Sequence, residues 1–280
     1  MNSFKKLILA IVLTPFLSIA QNKTCCMLSS TESFAHLSTD RNFASSHAAP
    51  VPYVFDAVKG KMILINCANG PAVKAFEVKS AEHSDKWVFV FHEWWGLNDY
   101  IKREAEKLSA EIPGVNILAI DLYDGIVATT PEEAQSTMGK MKDERSRMII
   151  NSSINYVGNK ARIATLGWCM GGGWSLQASL LAGKKAKACV MYYGMPDTDP
   201  EKISKLSSPV LGIFALKDNW ITPEVVDKFK LLMESKGKKL IIKNYEAVHA
   251  FANPSNPNYN EELAADAHKN AVDFLLERLK

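Results

Sequence analysis

Three side chains able to serve as nucleophile, acid and base follow one another at Cys169, Asp218 and His249. Cys169 stands in Gly167-Trp168-Cys169-Met170-Gly171, a G-x-C-x-G stretch equivalent to the G-x-S-x-G nucleophile elbow with sulfur replacing the hydroxyl. Either Cys169 is a reactive thiolate or it is a buried thiol in a tight turn. Two glycines at that spacing leave room for a sharp strand-to-helix reversal, and the following helix would aim its positive end at a thiolate. Asp218 and His249 lie 49 and 31 residues further on in turn. A histidine held in one tautomer by a carboxylate can take a thiol proton and later return it to a leaving group. A lone aspartate after a strand is usually a turn former, and a lone histidine is usually a packed or surface residue; the ordered conjunction is what carries weight.

The elements that must position these residues are legible as apolar runs. MILIN, AVKAFEV, WVFVFH, NILAI, ARIATL, AKACVMYY, PVLGIFAL and KLIIKNY are eight candidate strands. Helical stretches separate the later ones. Asn98 can cap a helix whose Ile101, Ala105, Leu108 and Ile112 recur at helical spacing, and Thr222-Pro223 opens another with Val225, Val226, Phe229, Leu232 and Met233 as its apolar stripe. Residues 132–157 and 261–279 are also expected to be helical. Strands apolar on both faces and separated by helices predict an α/β fold: a mainly parallel eight-stranded sheet with helices on both faces, the first two strands forming an edge hairpin. Ligands bind such sheets at the carboxyl ends of the strands, where Cys169, Asp218 and His249 all fall. The order nucleophile, acid, histidine is that of α/β-hydrolases.

The loop FHEWWGLND, residues 91–99, follows WVFVFH and occupies the place from which such enzymes donate an N–H to an oxyanion; the second donor is the residue after the nucleophile, Met170. Glu93 is placed to sit beside the sulfur, or else to make a surface ion pair. Trp94 and Trp95 belong either to the site or to the core.

The ends of the chain suggest where it works. Lys5 and Lys6 precede an apolar run from Leu7 to Ala20 ending in Ser18-Ile19-Ala20, the pattern of a cleaved secretory signal, and its apolar run is shorter than the roughly 20 residues needed to span a bilayer. Residues 1–20 are therefore expected to be a signal peptide and the protein to be exported, periplasmic or secreted, with no stable membrane span after cleavage. Removing two lysines and no acid takes the formal net charge from +3 to +1. With no basic stripe, the composition points away from nucleic acid. Residues 21–50, rich in Ser, Thr, Asn and Ala, are expected to be a flexible or loosely docked leader, with the folded domain over 51–280. Five cysteines, Cys25, Cys26, Cys67, Cys169 and Cys189, leave at least one unpaired; none has C-x-x-C spacing, and no Cys/His cluster has zinc-ligand spacing, so no metal is expected. Cys189, in an apolar strand, is expected to be a small buried hydrophobe.

HEWWGLND, AIDLY at 119–123, GWCMGG, VMYYG, the Asp218 region and HAFANP, in that order, resemble the dienelactone hydrolase family over roughly residues 60–280. The resemblance implies a Cys169–His249–Asp218 triad, Glu93 modulating the thiol, the N–H groups of Trp94 and Met170 as the oxyanion hole, and no cofactor. Two departures stand out. Dienelactone hydrolases hold the substrate carboxylate with two arginines, and Gly125 and Asn253 occupy those positions here. Losing bidentate, charge-assisted anchors argues against an anionic lactone. With Trp95, Tyr123, Trp168, Trp220 and Asn253 as candidate pocket residues, a neutral or aromatic ester, lactone or thioester is the expected small-molecule substrate. A non-catalytic binding protein on the same fold, or a peptidase or acyltransferase using the same triad, are the rival readings.

Overall fold

A computed structural model describes residues 39–280, together with Ser33, His36 and Leu37. The expected signal segment, Cys25 and Cys26 lie outside the described residues.

All eight expected strands form, and they join one sheet: β1 Lys61–Ile65, β2 Val73–Val78, β3 Lys86–Phe91, β4 Asn116–Ile120, β5 Arg162–Trp168, β6 Ala186–Tyr192, β7 Val210–Ala215 and β8 Leu240–Tyr245. Their spatial order is β1-β2-β4-β3-β5-β6-β7-β8. β1 pairs antiparallel with β2 as the expected edge hairpin, β2 pairs antiparallel with β4, and every later pairing is parallel. The central strands β3, β4, β5, β6 and β7 are buried almost throughout, as a sheet covered on both faces requires. At the edges β1 leaves Met62 and Leu64 exposed, and β8 is buried only at Tyr245.

The helices are α1 Arg41–Ser45, α2 Asp99–Glu111, α3 Pro131–Lys140, α4 Asp143–Tyr156, α5 Met170–Ala182, α6 Pro200–Ser204, α7 Pro223–Ser235 and α8 Glu261–Arg278. The Asn98 side chain accepts the Ile101 N–H at 3.2 Å, so the expected cap on α2 forms. At α7 the proline takes the first turn as expected, while Thr222 makes no side-chain cap bond. The single helix expected over 132–157 is two. Met141 and Lys142 are extended, with ψ of 132° and 127°, because the helix weakens at Gly139 and Asp143-Glu144 supply the acidic first turn of a new one.

α5 is the structural centre. Its buried face is nearly its whole circumference, and its polar residues are satisfied internally: Ser175 Oγ donates to the Val190 carbonyl and Thr165 Oγ1 to the Ser175 carbonyl, both at 2.9 Å. These bonds tie α5 to β5 and β6 and fix the end of β5 where Cys169 emerges.

The leader expectation is corrected over its described part. α1 packs onto the sheet's carboxyl edge, with Phe43 fully buried and His47 1% exposed. The Asp40 side chain caps α1 by accepting the Asn42 N–H, and its other oxygen takes the Trp220 indole N–H at 3.4 Å. A five-residue helix carries no readable apolar period; a single phenyl ring filling an aromatic pocket docks it.

Candidate active site

Cys169 has φ 57° and ψ −121°, a conformation L-residues rarely adopt, between β5 and α5. The turn closes only because its neighbours lack side chains. A Cβ on Gly167 would meet the Gly171 carbonyl oxygen at 2.1 Å, and one on Gly171 would meet the Phe91 and His92 carbonyl oxygens at 2.3 and 2.4 Å. The strain is sustained by the packed elements on either side.

Cys169, His249 and Asp218 come together at the carboxyl edge. His249 Nε2 lies 3.3 Å from Cys169 Sγ, and His249 Nδ1 lies 2.6 Å from Asp218 Oδ2. Asp218 Oδ1 accepts the Trp220 and Ile221 N–H groups at 2.8 and 3.0 Å. Burial alone would raise the Asp218 carboxyl, but His249 and these N–H bonds outweigh it and hold the group below its ordinary value. Asp218 is thus an ionised acceptor, Nδ1 carries the imidazole proton, and Nε2 turns its lone pair to the thiol. Burial, then the charges of Glu93 and Asp218, push the Cys169 thiol well above its ordinary value, against a lowering contribution from the Met170 N–H. The resting sulfur is a thiol.

Glu93 is 5% exposed, and burial raises its carboxyl to about 7 against the opposing pull of His249, Tyr193 and Asn253. The Tyr193 hydroxyl donates to Oε1 at 3.4 Å, and the Asn253 amide donates to Oε2. Asn253 is oriented for this because its Oδ1 accepts the Ser255 N–H and hydroxyl, both at 2.8 Å. Where the sequence resemblance implies an arginine, a neutral amide therefore clasps the buried carboxyl. Gly125 has φ +100°, a backbone conformation that strains any residue with a side chain, and the mobile end of Lys74 lies beside it.

Of the two expected oxyanion donors, the Met170 N–H favours the ionised form of Cys169, and no protein acceptor among the described residues takes the Trp94 N–H. The Trp94 ring is fully buried and packs edge-on against Phe43 and Trp95. His92, the other histidine at a strand end, is structural: its Nδ1 donates to the Glu93 carbonyl at 2.6 Å and its Nε2 accepts the Leu122 N–H at 3.0 Å, lacing the ends of β3 and β4 together.

A cavity of about 330 Å³ reaches Glu93 and Trp168 and is lined also by Trp95, Asn253, Arg103 and Tyr259, while Cys169, His249 and Asp218 themselves do not line it. Three expected pocket residues, Trp95, Trp168 and Asn253, line it; Tyr123 and Trp220 do not. Tyr123 is buried beneath the elbow with its hydroxyl 3.2 Å from Met170 Sδ, and Trp220 stands edge-on to the His249 ring at 5.7 Å. Sequence proximity to a motif put both near the site, but strand-end geometry turned their rings away from the cavity. Arg103 is paired with Glu104 at 3.1 Å and so is not a free anion clamp.

Two site features were not foreseen. Tyr193, at the end of β6 with φ 36°, holds Glu93 and stacks edge-on to His249 at 5.0 Å; its place at a strand's carboxyl end was the available signal. Phe43 and His47 roof the site from the leader, with ring centroids 6.0 and 5.3 Å from His249. Cys169 is 1% exposed beneath them.

The dienelactone hydrolase family model matches residues 73–279. This chain belongs to the dienelactone hydrolase family. It is 28% identical over 225 residues to the protein usf of Aquifex pyrophilus, covering 75% of this chain and 96% of the relative. It is 25% identical over 207 residues to a carboxymethylenebutenolidase of a Pseudomonas species, covering 69% and 84%. Among solved structures, a dienelactone hydrolase-like promiscuous phosphotriesterase from metagenomic libraries superposes with a TM-score of 0.69 at 19% identity, covering 80% of this chain and 100% of that one. The dienelactone hydrolase of Anabaena variabilis superposes with a TM-score of 0.57 at 20% identity, covering 79% and 99%. The family assignment makes this chain an ester or lactone hydrolase with the α/β-hydrolase fold. Among the described residues no helix is long and apolar enough to cross a membrane.

Proposed function

We propose that this chain is an exported, cysteine-dependent hydrolase of small carboxylic esters, lactones or thioesters. The observation that carries the reading is the linear array from Asp218 through His249 to Cys169, at 2.6 and 3.3 Å. His249 Nε2 takes the thiol proton as Sγ attacks the carbonyl carbon, and ionised Asp218 stabilises the imidazolium. Negative charge developing on the carbonyl oxygen is met by the N–H groups of Trp94 and Met170. The imidazolium then gives its proton to the leaving oxygen or sulfur, leaving an acyl-thioester on Cys169. A water deprotonated by His249 attacks that thioester, and the returning proton restores the thiol.

Glu93 governs how readily the thiol ionises. While anionic it opposes thiolate formation, and once protonated it relaxes that opposition. With Gly125 and Asn253 in place of cationic anchors and Trp95 and Trp168 on the cavity wall, the favoured acyl or alcohol group is neutral or aromatic. Export rests on the sequence of residues 1–20, and N-terminal sequencing of protein from the cell exterior should begin at Gln21.

The test of the mechanism is hydrolysis of short-chain aryl esters by the purified protein. Cys169→Ala should abolish it, and equal rates for variant and wild type would refute the thiol mechanism. An inert wild type across esters, lactones and thioesters would favour the binding-protein reading.

A further inference from the structure

His47 reaches Cys169 from outside the stretch shared with the family, and one of its ring nitrogens has no partner among the described residues. Nδ1 lies 2.7 Å from the Phe43 carbonyl, which can only accept, so Nδ1 carries the proton. Nε2 is then a lone pair, buried and without a hydrogen-bond partner among the described residues. Ligand atoms from His47, Cys169 and His249 all lie within 4.8 Å of one another, every one on a buried residue. We propose that His47, Cys169 and His249 form a binding site for a thiophilic divalent cation of the zinc type, which closes the active site when occupied.

The donor set fits that ion class. Two imidazole nitrogens and a thiolate suit zinc and softer cations and do not suit magnesium or calcium, which require oxygen. With zinc–sulfur and zinc–nitrogen bonds of about 2.3 and 2.0 Å, tetrahedral ligands sit about 3.5 Å apart. The His249 Nε2 to Sγ separation of 3.3 Å already matches, and His47 needs a shift on the order of 1 Å to complete the triangle. Both imidazoles have the outer bonds that metal-bound histidines use: Nδ1 of His249 on the Asp218 carboxylate and Nδ1 of His47 on a main-chain carbonyl. Three protein ligands leave a fourth position for water. On binding, the S–H bond of Cys169 breaks, a metal–sulfur bond forms, and the proton leaves to buffer.

Such an ion would occupy the two atoms that the proposed proton transfer needs, Sγ and His249 Nε2, so binding and hydrolysis exclude each other. Local sequence spacing could not have revealed this site, because its ligands lie at positions 47, 169 and 249 and meet only through docking of α1.

The test needs no substrate, so it stands apart from the hydrolase reading. Full-length protein with Cys25 and Cys26 changed to serine is titrated with Zn²⁺ by calorimetry and with Co²⁺ by absorbance. One Zn²⁺ per chain should bind, and Co²⁺ should give a thiolate-to-metal charge-transfer band. Cys169→Ser should remove the band, and His47→Ala should weaken Zn²⁺ binding at least tenfold while circular dichroism stays native; Cys67→Ser should change neither. Absence of binding to the wild type, survival of the band in Cys169→Ser, or undiminished affinity in natively folded His47→Ala would overturn the site.

Discussion

Glu93→Gln isolates the cost of burying a carboxyl beside the thiol. Burial raises this group from an ordinary 4.5 to about 7, which at about 1.4 kcal/mol per pH unit corresponds to about 3 kcal/mol. Below about pH 4.5 the folded and unfolded chains both hold the proton. Between about 4.5 and 7 the unfolded chain releases it first, so this group's contribution to stability falls as pH rises, and above 7 the whole deficit is present. Glutamine keeps the contacts: its carbonyl can accept from Asn253, and its amide can donate to the Tyr193 hydroxyl oxygen. It does not titrate. The stability of Glu93→Gln relative to wild type should therefore rise by up to about 3 kcal/mol from about pH 5 to about pH 8.5. Urea unfolding at a series of pH values reads this, with unchanged slopes confirming that the unfolded state is unaltered. Alkylation of Cys169 should also shift its profile to lower pH, since Glu93 is one of the charges raising the thiol. A relative stability that is flat with pH would show that Glu93 ionises normally and would sink the account of thiol control.

Asp218→Asn should lower kcat by on the order of 10³- to 10⁴-fold, since an amide can no longer hold the productive His249 tautomer; steady-state aryl ester hydrolysis measures it. Phe43→Ala should speed iodoacetamide labelling of Cys169 by about tenfold or more, because truncating a buried phenyl removes well over about 1.4 kcal/mol from the docking of α1; mass spectrometry of timed samples reads the rate. Gly171→Ala should destabilise by about 1–3 kcal/mol or more and lose activity, since its Cβ would meet main-chain oxygens at 2.3 and 2.4 Å; thermal melts and ester assays check both.

The sheet was legible because its central strands are apolar on both faces, a pattern that composition alone displays in β3 to β7. Cys169, Asp218 and His249 were legible because a parallel sheet places chemistry at strand ends, so chain position stood in for spatial position. That substitution failed where orientation mattered. Tyr123 and Trp220 adjoin the right motifs, yet one ring lies under the elbow and the other against His249. α1 was illegible for another reason: five residues show no period, and its burial depends on a pocket made by Trp94, Trp220 and His249 from distant parts of the chain. The break between α3 and α4 turns on two residues, finer than a periodicity window resolves.

The family match begins at residue 73, whereas the roof over the thiol begins at Asp40. A protein shortened to the shared domain would lose β1 but keep the other seven strands, the elbow and the Asp218–His249–Cys169 array, and it would expose a thiol that the longer chain encloses. Its esterase rates would then describe an unguarded site, with broader substrate acceptance and faster oxidation of Cys169 than the longer chain shows. For this protein the boundary of the shared domain and the boundary of the enclosed site fall at different residues, and selectivity can change in the segment between them without touching Cys169, His249 or Asp218.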